Sequence, residues 1–397
     1  MTDFWIYAPT KIVFGKTALD GLAEGIKQYG SRLMLVYGGG SIKKMGLYDK
    51  IVKILEENNI FYVEHSGVAP NPKVSHIRRG IEIARENKID MVLAVGGGSS
   101  IDEAKGIAGG YYYEGDVWEL AVAKNKAGLP IDHKILPVLT VLTLAATGTE
   151  MSTGCNWTND TIEPQVKLGF HGPELRPKIS FLDPTNTFTV SRFQTAAGSA
   201  DILSHVFESY FSNANAFMHA RVAEAMMKTV IKYAPVALED PENYEARANL
   251  MYASSWANNG YIVKGNQVNW SVHILEHELT AYNDTTHGDG LSILTPVWMR
   301  WVVEDESKLY RFVEMGVNVF GIDPSLPDKE IALTAIEKVE DFFWNKLGLH
   351  RRLRDVDIPE DKLELFTNQV EKKLGYLAGS YKPMEKTDIY NIYKKAY

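Results

Sequence analysis

The sequence predicts a parallel, doubly wound α/β half followed by an all-helical half. Strand-like and helix-like segments alternate over roughly the first 145 residues. Two buried-type apolar runs, 32–37 and 91–95, each pass straight into Gly-Gly-Gly-Ser, at 38–41 and 96–99. From Ser191 onward strand-like runs become scarce and long helical stretches take over.

In order, 11–15 reads as a short strand closed by Gly15, and 18–29 has helical spacing. Residues 32–37 are apolar enough for a strand buried on both faces. A helix over 48–58, a strand over 60–65 and a Pro-Asn-Pro turn at 70–72 follow. Residues 74–87 alternate as an amphipathic helix, and 91–95 repeats the buried-strand pattern. A third apolar run, 135–144, ends at Ala145-Ala146-Thr147-Gly148-Thr149. Phe181-Leu182 is extended and closes at Asp183-Pro184, because the residue before proline avoids the helical region. The boundary is therefore placed at 185, giving an α/β domain over 1–185 and a helical domain over 186–397. Helices are expected at 191–211, 217–233, 244–261 and 331–347, and the acidic 359–364 reads as a solvated loop and helix start.

A formal charge of −8 argues against a nucleic-acid or acidic-membrane partner, which needs clustered Lys and Arg. The only cysteine, Cys155, allows no internal disulfide and no cysteine-rich zinc site, and fits a reducing compartment. No run of about twenty apolar residues predicts a membrane span, and the first residues lack a signal-peptide pattern. A cytoplasmic protein is expected.

Glycine-rich turns opening helices present backbone N–H groups to anions and let a phosphate approach. Gly38, Gly39, Gly40 and Ser41, and Gly96, Gly97, Gly98 and Ser99, occupy such turns at strand ends, where open α/β sheets bind ligands. Neither is a Gly-x-Gly-x-x-Gly fingerprint, since Lys43 and Ile101 stand at the third position, and neither is a P-loop. Together they point to a dinucleotide. Asp102 is a candidate acceptor for a cofactor amide or ribose, and equally a favourable charge in a first helical turn. After the first loop no acidic residue is read at the end of the adjoining strand to hold a ribose 2′-hydroxyl, whereas Ser41, Lys43 and Lys44 are close by, which favours NADP over NAD.

In the second half Asp201 and His205, and His273 and His277, stand four residues apart, so each pair shares a helix face. His287 follows in Thr286-His287-Gly288-Asp289-Gly290. One carboxylate with two or three imidazoles suits a divalent transition metal. Spacing alone does not choose between His273 and His277.

These residues, with Ile101-Asp102, Lys105 and Ala-Thr-Gly-Thr-Glu at 146–150, resemble the iron-containing (group III) alcohol dehydrogenases along essentially the whole chain. His277-Glu278-Leu279-Thr280-Ala281 is similar to the butanol dehydrogenase and broad aldehyde reductase branch. The resemblance implies a Rossmann-like N-terminal domain and an all-α C-terminal domain, the fold shared with dehydroquinate synthase. It implies Fe²⁺ or Zn²⁺ held by Asp201, His205, His273 and His287, with His277 as proton donor or relay. It further implies cofactor contacts at the two loops, Asp102, Thr140, Thr143, Lys167 and Leu182, and a homodimer.

The chemistry implied is interconversion of small primary alcohols, such as butanol, with their aldehydes, using NAD(P)H. Two alternatives stay open. His273-Ile274-Leu275-Glu276-His277 matches the inverzincin pattern, with Glu276 as base of a zinc hydrolase. A glycerol-dehydrogenase-like sibling of the same fold is the other. Tyr111, Trp157, Phe170, Trp256 and Tyr282 are candidates for an apolar pocket, although aromatics at such spacings are mostly core.

Overall fold

The structure, a computed structural model, describes residues 1–127, 131–268, 270–373, 377 and 379–397. It divides into two compact units: Tyr7–Val190 with Pro241–Asn259, and Met1–Ile6 with Ser191–Asp240 and Gly260–Tyr397.

The first unit is built on a six-stranded parallel sheet. Its strands are β1 (Lys11–Phe14), β2 (Arg32–Tyr37), β3 (Phe61–Ser66), β4 (Met91–Gly96), β5 (Val138–Leu142) and β8 (Ile179–Leu182), in the order β1-β8-β5-β4-β2-β3. Alternate side chains feed two cores, as the two-residue period of a strand requires. Met34, Val36, Val92 and Ala94 enter one core, and Leu33, Leu35, Leu93 and Val95 the other. Both faces are covered, which is why these strands read as continuous apolar runs. The helices are α1 (Leu22–Lys27), α2 (Ser41–Lys44), α3 (Leu47–Glu57), α4 (Val74–Glu86), α5 (Gly98–Gly110), α6 (Val117–Ala127) and, later in the chain, α9 (Tyr244–Ala257).

After β2 the chain adds β3 on one side and then returns to place β4 on the other. Both glycine loops therefore leave neighbouring strand ends at a point where the winding reverses, the usual ligand crevice of such sheets.

The structure adds an antiparallel hairpin absent from the sequence reading, β6 (Gly154–Asn159) with β7 (Val166–His171). Trp157 and Phe170 on this hairpin are completely buried and belong to the core. They sit over Gly106 and Gly109 of α5, where a Cβ would lie 3.0 Å from the Trp157 ring and 2.8 Å from that of Phe170. The strand expected over 135–144 is confined to Val138–Leu142.

The second unit is helical, with α7 (Arg192–Tyr210), α8 (Phe217–Glu239), α10 (Ser271–Asn283), α11 (His287–Val302), α12 (Leu309–Phe320), α13 (Asp328–Glu340), α14 (Leu363–Glu371) and α15 (Lys386–Ala396). Ser191 caps α7 by accepting a hydrogen bond from the Gln194 N–H. The helix expected over 331–347 changes to a π turn at Asp341–Lys346. Helix α9 falls within the expected helical half, yet it packs in the sheet-bearing unit. Among the described residues no helix is long and apolar enough to cross a membrane.

Candidate functional site

Helix α7 carries Asp201, His205 and Glu208, and α10 carries His273, Glu276 and His277, while α11 begins at His287. Ligand-type atoms of Asp201, His205 and His273 lie within 4.8 Å of one another, and all three residues are buried. His287 stands beside them, its Nε2 3.9 Å from Asp201 Oδ1. Its approach depends on Gly288, because a Cβ there would fall 1.9 Å from the Ala197 carbonyl oxygen of α7. His277 is half-buried one turn from His273, with its ring centroid 5.9 Å from that of His287.

Two carboxylates hold the imidazoles from behind. Glu208 Oε1 accepts from His273 Nδ1 at 3.0 Å and from the backbone N–H groups of Val272 and His273 at 2.7 and 2.9 Å. Glu276, fully buried, accepts from His287 Nδ1 through one oxygen and from the Thr280 hydroxyl through the other. Such pairing protonates Nδ1 and leaves Nε2 as the nitrogen with a lone pair. His205 Nδ1 donates to the Asp201 carbonyl at 2.9 Å, with the same result.

Burial pushes Asp201 up, but the three surrounding imidazoles outweigh it and hold its carboxylate far below the usual range. Burial lowers His273, which favours the neutral ring that a metal needs. His273 Nε2 is buried without a hydrogen-bond partner, and Asp201 Oδ1 faces His205 Nδ1 at 3.0 Å. Leaving that nitrogen unpaired is costly, and a cation held beside the Asp201 carboxylate satisfies it. The residues present therefore fit a divalent ion.

Glu276 has no exposed surface and both its oxygens are engaged. A base that activates water needs access to it, so the hydrolase pattern is a coincidence of spacing. His273 groups with Asp201 and His205 on α7, not with His277.

In the sheet-bearing unit, a Cβ on Gly39 or Gly40 would meet no atom within 4 Å, and Gly40 has φ +105°. The first loop thus leaves open backbone above α2. In the second, Gly96 and Gly98 are closely packed: a Cβ would lie 2.4 Å from Ser100 Oγ and 2.6 Å from Thr147 Cγ2, so either neighbour would have to shift. Ser99 Oγ accepts from the Asn71 N–H at 3.3 Å, and Lys167 Nζ reaches Asn71 Oδ1 at 3.4 Å. Thr143 follows β5, its N–H bonded to the Gly96 carbonyl. These positions come together at the strand ends.

Three sequence candidates sit deeper. Thr140 is completely buried and its hydroxyl donates to Ser180 Oγ at 2.8 Å. Leu182 is fully buried at the end of β8. Asp102 accepts from Thr149 Oγ1 at 2.6 Å and from the Asn156 N–H at 2.9 Å, so it braces the polypeptide beyond β5 against α5. Lys105 braces the same stretch, with its buried Nζ donating to the carbonyls of Thr149, Ser152 and Gly154 at 2.7, 3.1 and 2.7 Å. Burial lowers its pKa to about 8, against the opposing pull of Asp102.

Sequence reasoning missed Glu208 and Glu64. Glu208 is seven residues after Asp201, two helical turns along one face, a signal that the spacing contained. Glu64 stands near the end of the adjoining strand β3, where the sequence reading places no acidic residue, and accepts from Tyr37, which leads into the first loop, and, at 2.6 Å, from Tyr48. Lys43 Nζ is 3.8 Å from it. Burial raises Glu64, but the two tyrosine hydroxyls and Lys43 prevail and lower it.

A sheet with paired glycine turns, followed in the chain by a helical unit with a buried carboxylate–imidazole cluster, defines a class, the metal-dependent dehydrogenases. Residues 9–184 match the iron-containing alcohol dehydrogenase model, and residues 195–397 match the C-terminal model of the Fe-containing alcohol dehydrogenase family. The chain belongs to the iron-containing alcohol dehydrogenase family.

It is 49% identical over 398 residues to NADH-dependent butanol dehydrogenase A of Clostridium acetobutylicum, covering 100% of both chains. It is 33% identical to the NADPH-dependent aldehyde reductase YqhD of Escherichia coli, covering 94% of each. Among solved structures, NADH-dependent butanol dehydrogenase A of Thermotoga maritima superposes with a TM-score of 0.92 at 36% identity, covering 100% of this chain and 99% of that one.

Proposed function

We propose that this enzyme reduces small aldehydes, with butanal as the test substrate, to primary alcohols at the expense of NADH and a proton. The observation that carries the reading is the buried cluster of Asp201, His205 and His273, in which His273 Nε2 has no hydrogen-bond partner. The full-length likeness to butanol dehydrogenases supplies the substrate class.

Asp201, His205, His273 and His287 hold Fe²⁺ or Zn²⁺ in this reading. When bound, the ion supplies Lewis acidity toward a carbonyl oxygen and the nicotinamide supplies the hydride. Asp201 contributes the negative charge that retains a cation. Glu208 and Glu276 hold His273 and His287 in the tautomer that keeps Nε2 unprotonated. His277, half-buried and near His287, donates or relays the proton that completes the alcohol. The loops at Gly38–Gly40 with Ser41 and at Gly96–Gly98 with Ser99 cradle the dinucleotide, with Thr143 and Lys167 beside them and Asp102, Thr140 and Leu182 backing that crevice. A cytoplasmic location and a homodimer belong to the same reading, the first on a single buried thiol and the second on the family likeness.

Glu64 favours NADH, against the NADP preference read from the loop residues alone. Lys43, a candidate above for a 2′-phosphate, is paired with Glu64, and that carboxylate repels a second negative group. The ratio of kcat/KM for NADH over NADPH is expected to exceed unity with butanal. Glu64→Gln should move it toward NADPH by roughly tenfold, the effect of about 1.4 kcal/mol of lost repulsion. A wild-type preference for NADPH would contradict this choice of cofactor.

A further inference from the structure

A second set of ligand-type side chains converges in the sheet-bearing unit, on residues that the proposed reaction does not use. His65 lies near the C-terminal end of β3, His76 in the first turn of α4, and Glu103 in α5. Glu103 has no exposed surface, and its Oε1 is 2.7 Å from His65 Nε2 and 2.5 Å from His76 Nδ1. The two imidazoles stack with centroids 4.2 Å apart and planes inclined by 29°. His65 is buried, whereas the His76 side chain is 32% exposed and opens one side of the cluster to water.

Hydrogen bonding alone uses Glu103 unevenly. One oxygen is approached by both imidazoles, while the other, Oε2, is buried with no partner. An unsatisfied carboxylate oxygen in an interior costs free energy that an apolar residue would avoid. Two imidazole nitrogens and one carboxylate form a three-residue set that binds borderline divalent ions, with water in the remaining position. Bonds of about 2.0–2.1 Å in a tetrahedral site set donors about 3.3 Å apart, so these need to spread by less than about 1 Å.

We propose that His65, His76 and Glu103 form a second divalent-metal site of zinc type, separate from the Asp201–His205–His273 cluster. The ion would tie the end of β3 to α4 and α5, the helix that opens at the second glycine loop. Its role is therefore that of a brace, coupled to stability by the usual linkage of a ligand that binds only the folded state.

The test is equilibrium dialysis of the full chain, stripped of metal, against Zn²⁺, with bound metal measured per chain. Wild type should bind two equivalents. His76→Ala and His273→Ala should each bind one, and the double variant none. With the first site disabled by His273→Ala, Zn²⁺ should still raise Tm, and adding His76→Ala should abolish that rise. Glu103→Gln preserves the side-chain volume and gives a second route to the same loss; circular dichroism verifies that each variant is folded. A single equivalent in wild type, or two retained in folded His76→Ala or Glu103→Gln, would overturn the proposal.

Discussion

His273→Ala should abolish metal retention at the Asp201–His205 cluster and lower butanal reduction by on the order of 10³-fold, since Lewis-acid stabilisation is worth several kcal/mol. The substitution removes one donor from a cluster whose other members cannot close around the gap. It should not unfold the chain. Glu208, left behind, keeps the backbone N–H groups of residues 272 and 273 as donors at 2.7 and 2.9 Å, so no carboxylate is stranded. Metal analysis and steady-state rates on the folded variant check the expectation. Full activity with full metal content would remove His273 from the centre.

Glu276→Gln should weaken metal affinity by about 10–100-fold, the usual cost of losing a carboxylate behind a ligating imidazole. The amide is nearly isosteric, so packing against Gly290, where a Cβ would lie 2.9 Å from the Glu276 Cγ, is undisturbed. What changes is the partner of His287 Nδ1. A neutral amide holds that proton less strongly, and an inverted amide would donate to Nδ1 and move the imidazole proton onto Nε2. Turnover should fall at limiting metal and recover when metal is saturating. Chelator competition and a metal titration of the rate separate this from direct catalysis: a loss that no metal concentration restores would mean that Glu276 acts on the reacting groups.

The parts of the fold legible in the sequence were those whose burial is written locally. The strands at Arg32–Tyr37 and Met91–Gly96 are apolar from Leu33 and from Met91 onward because both faces are covered, and the glycines that end them mark where backbone must come close. The hairpin Gly154–Asn159 with Val166–His171 was not legible. Its stretches carry asparagine, threonine and lysine at strand positions, and its place is fixed by Trp157 and Phe170 settling over glycines of α5, more than forty residues earlier in the chain. Helix α9 follows the same rule. Its pattern announces a helix, while the unit it joins depends on distant contacts such as Ser255 with Glu150.

The candidate site divides the same way. Asp201 and His205 on one helix and His273 with His277 on another were visible as pairs one turn apart. The choice of His273 was not, because both histidines of that pair satisfy the spacing equally. What separates them is the partner element: Glu208 of α7 reaches His273 Nδ1 at 3.0 Å, and Asp201 and His205 share its surroundings. Glu276 was visible only as part of a motif with a different chemistry. Its bond to Thr280 lies within α10, whereas its engagement with His287 depends on how α11 packs on α10, which Gly290 permits. Glu64 was hidden because it reaches the first loop from the adjoining strand, in register with Leu35.

The most direct test is consumption of NADH with butanal by protein stripped of metal and then reloaded anaerobically with Fe²⁺ or with Zn²⁺. Turnover should be negligible in the stripped protein and recover with at least one of the two ions, with butanol formed in a one-to-one ratio with NAD⁺. Turnover that persists undiminished without metal would contradict a metal-dependent reduction. So would the absence of oxidation of NADH or NADPH under either loading across a panel of small aldehydes.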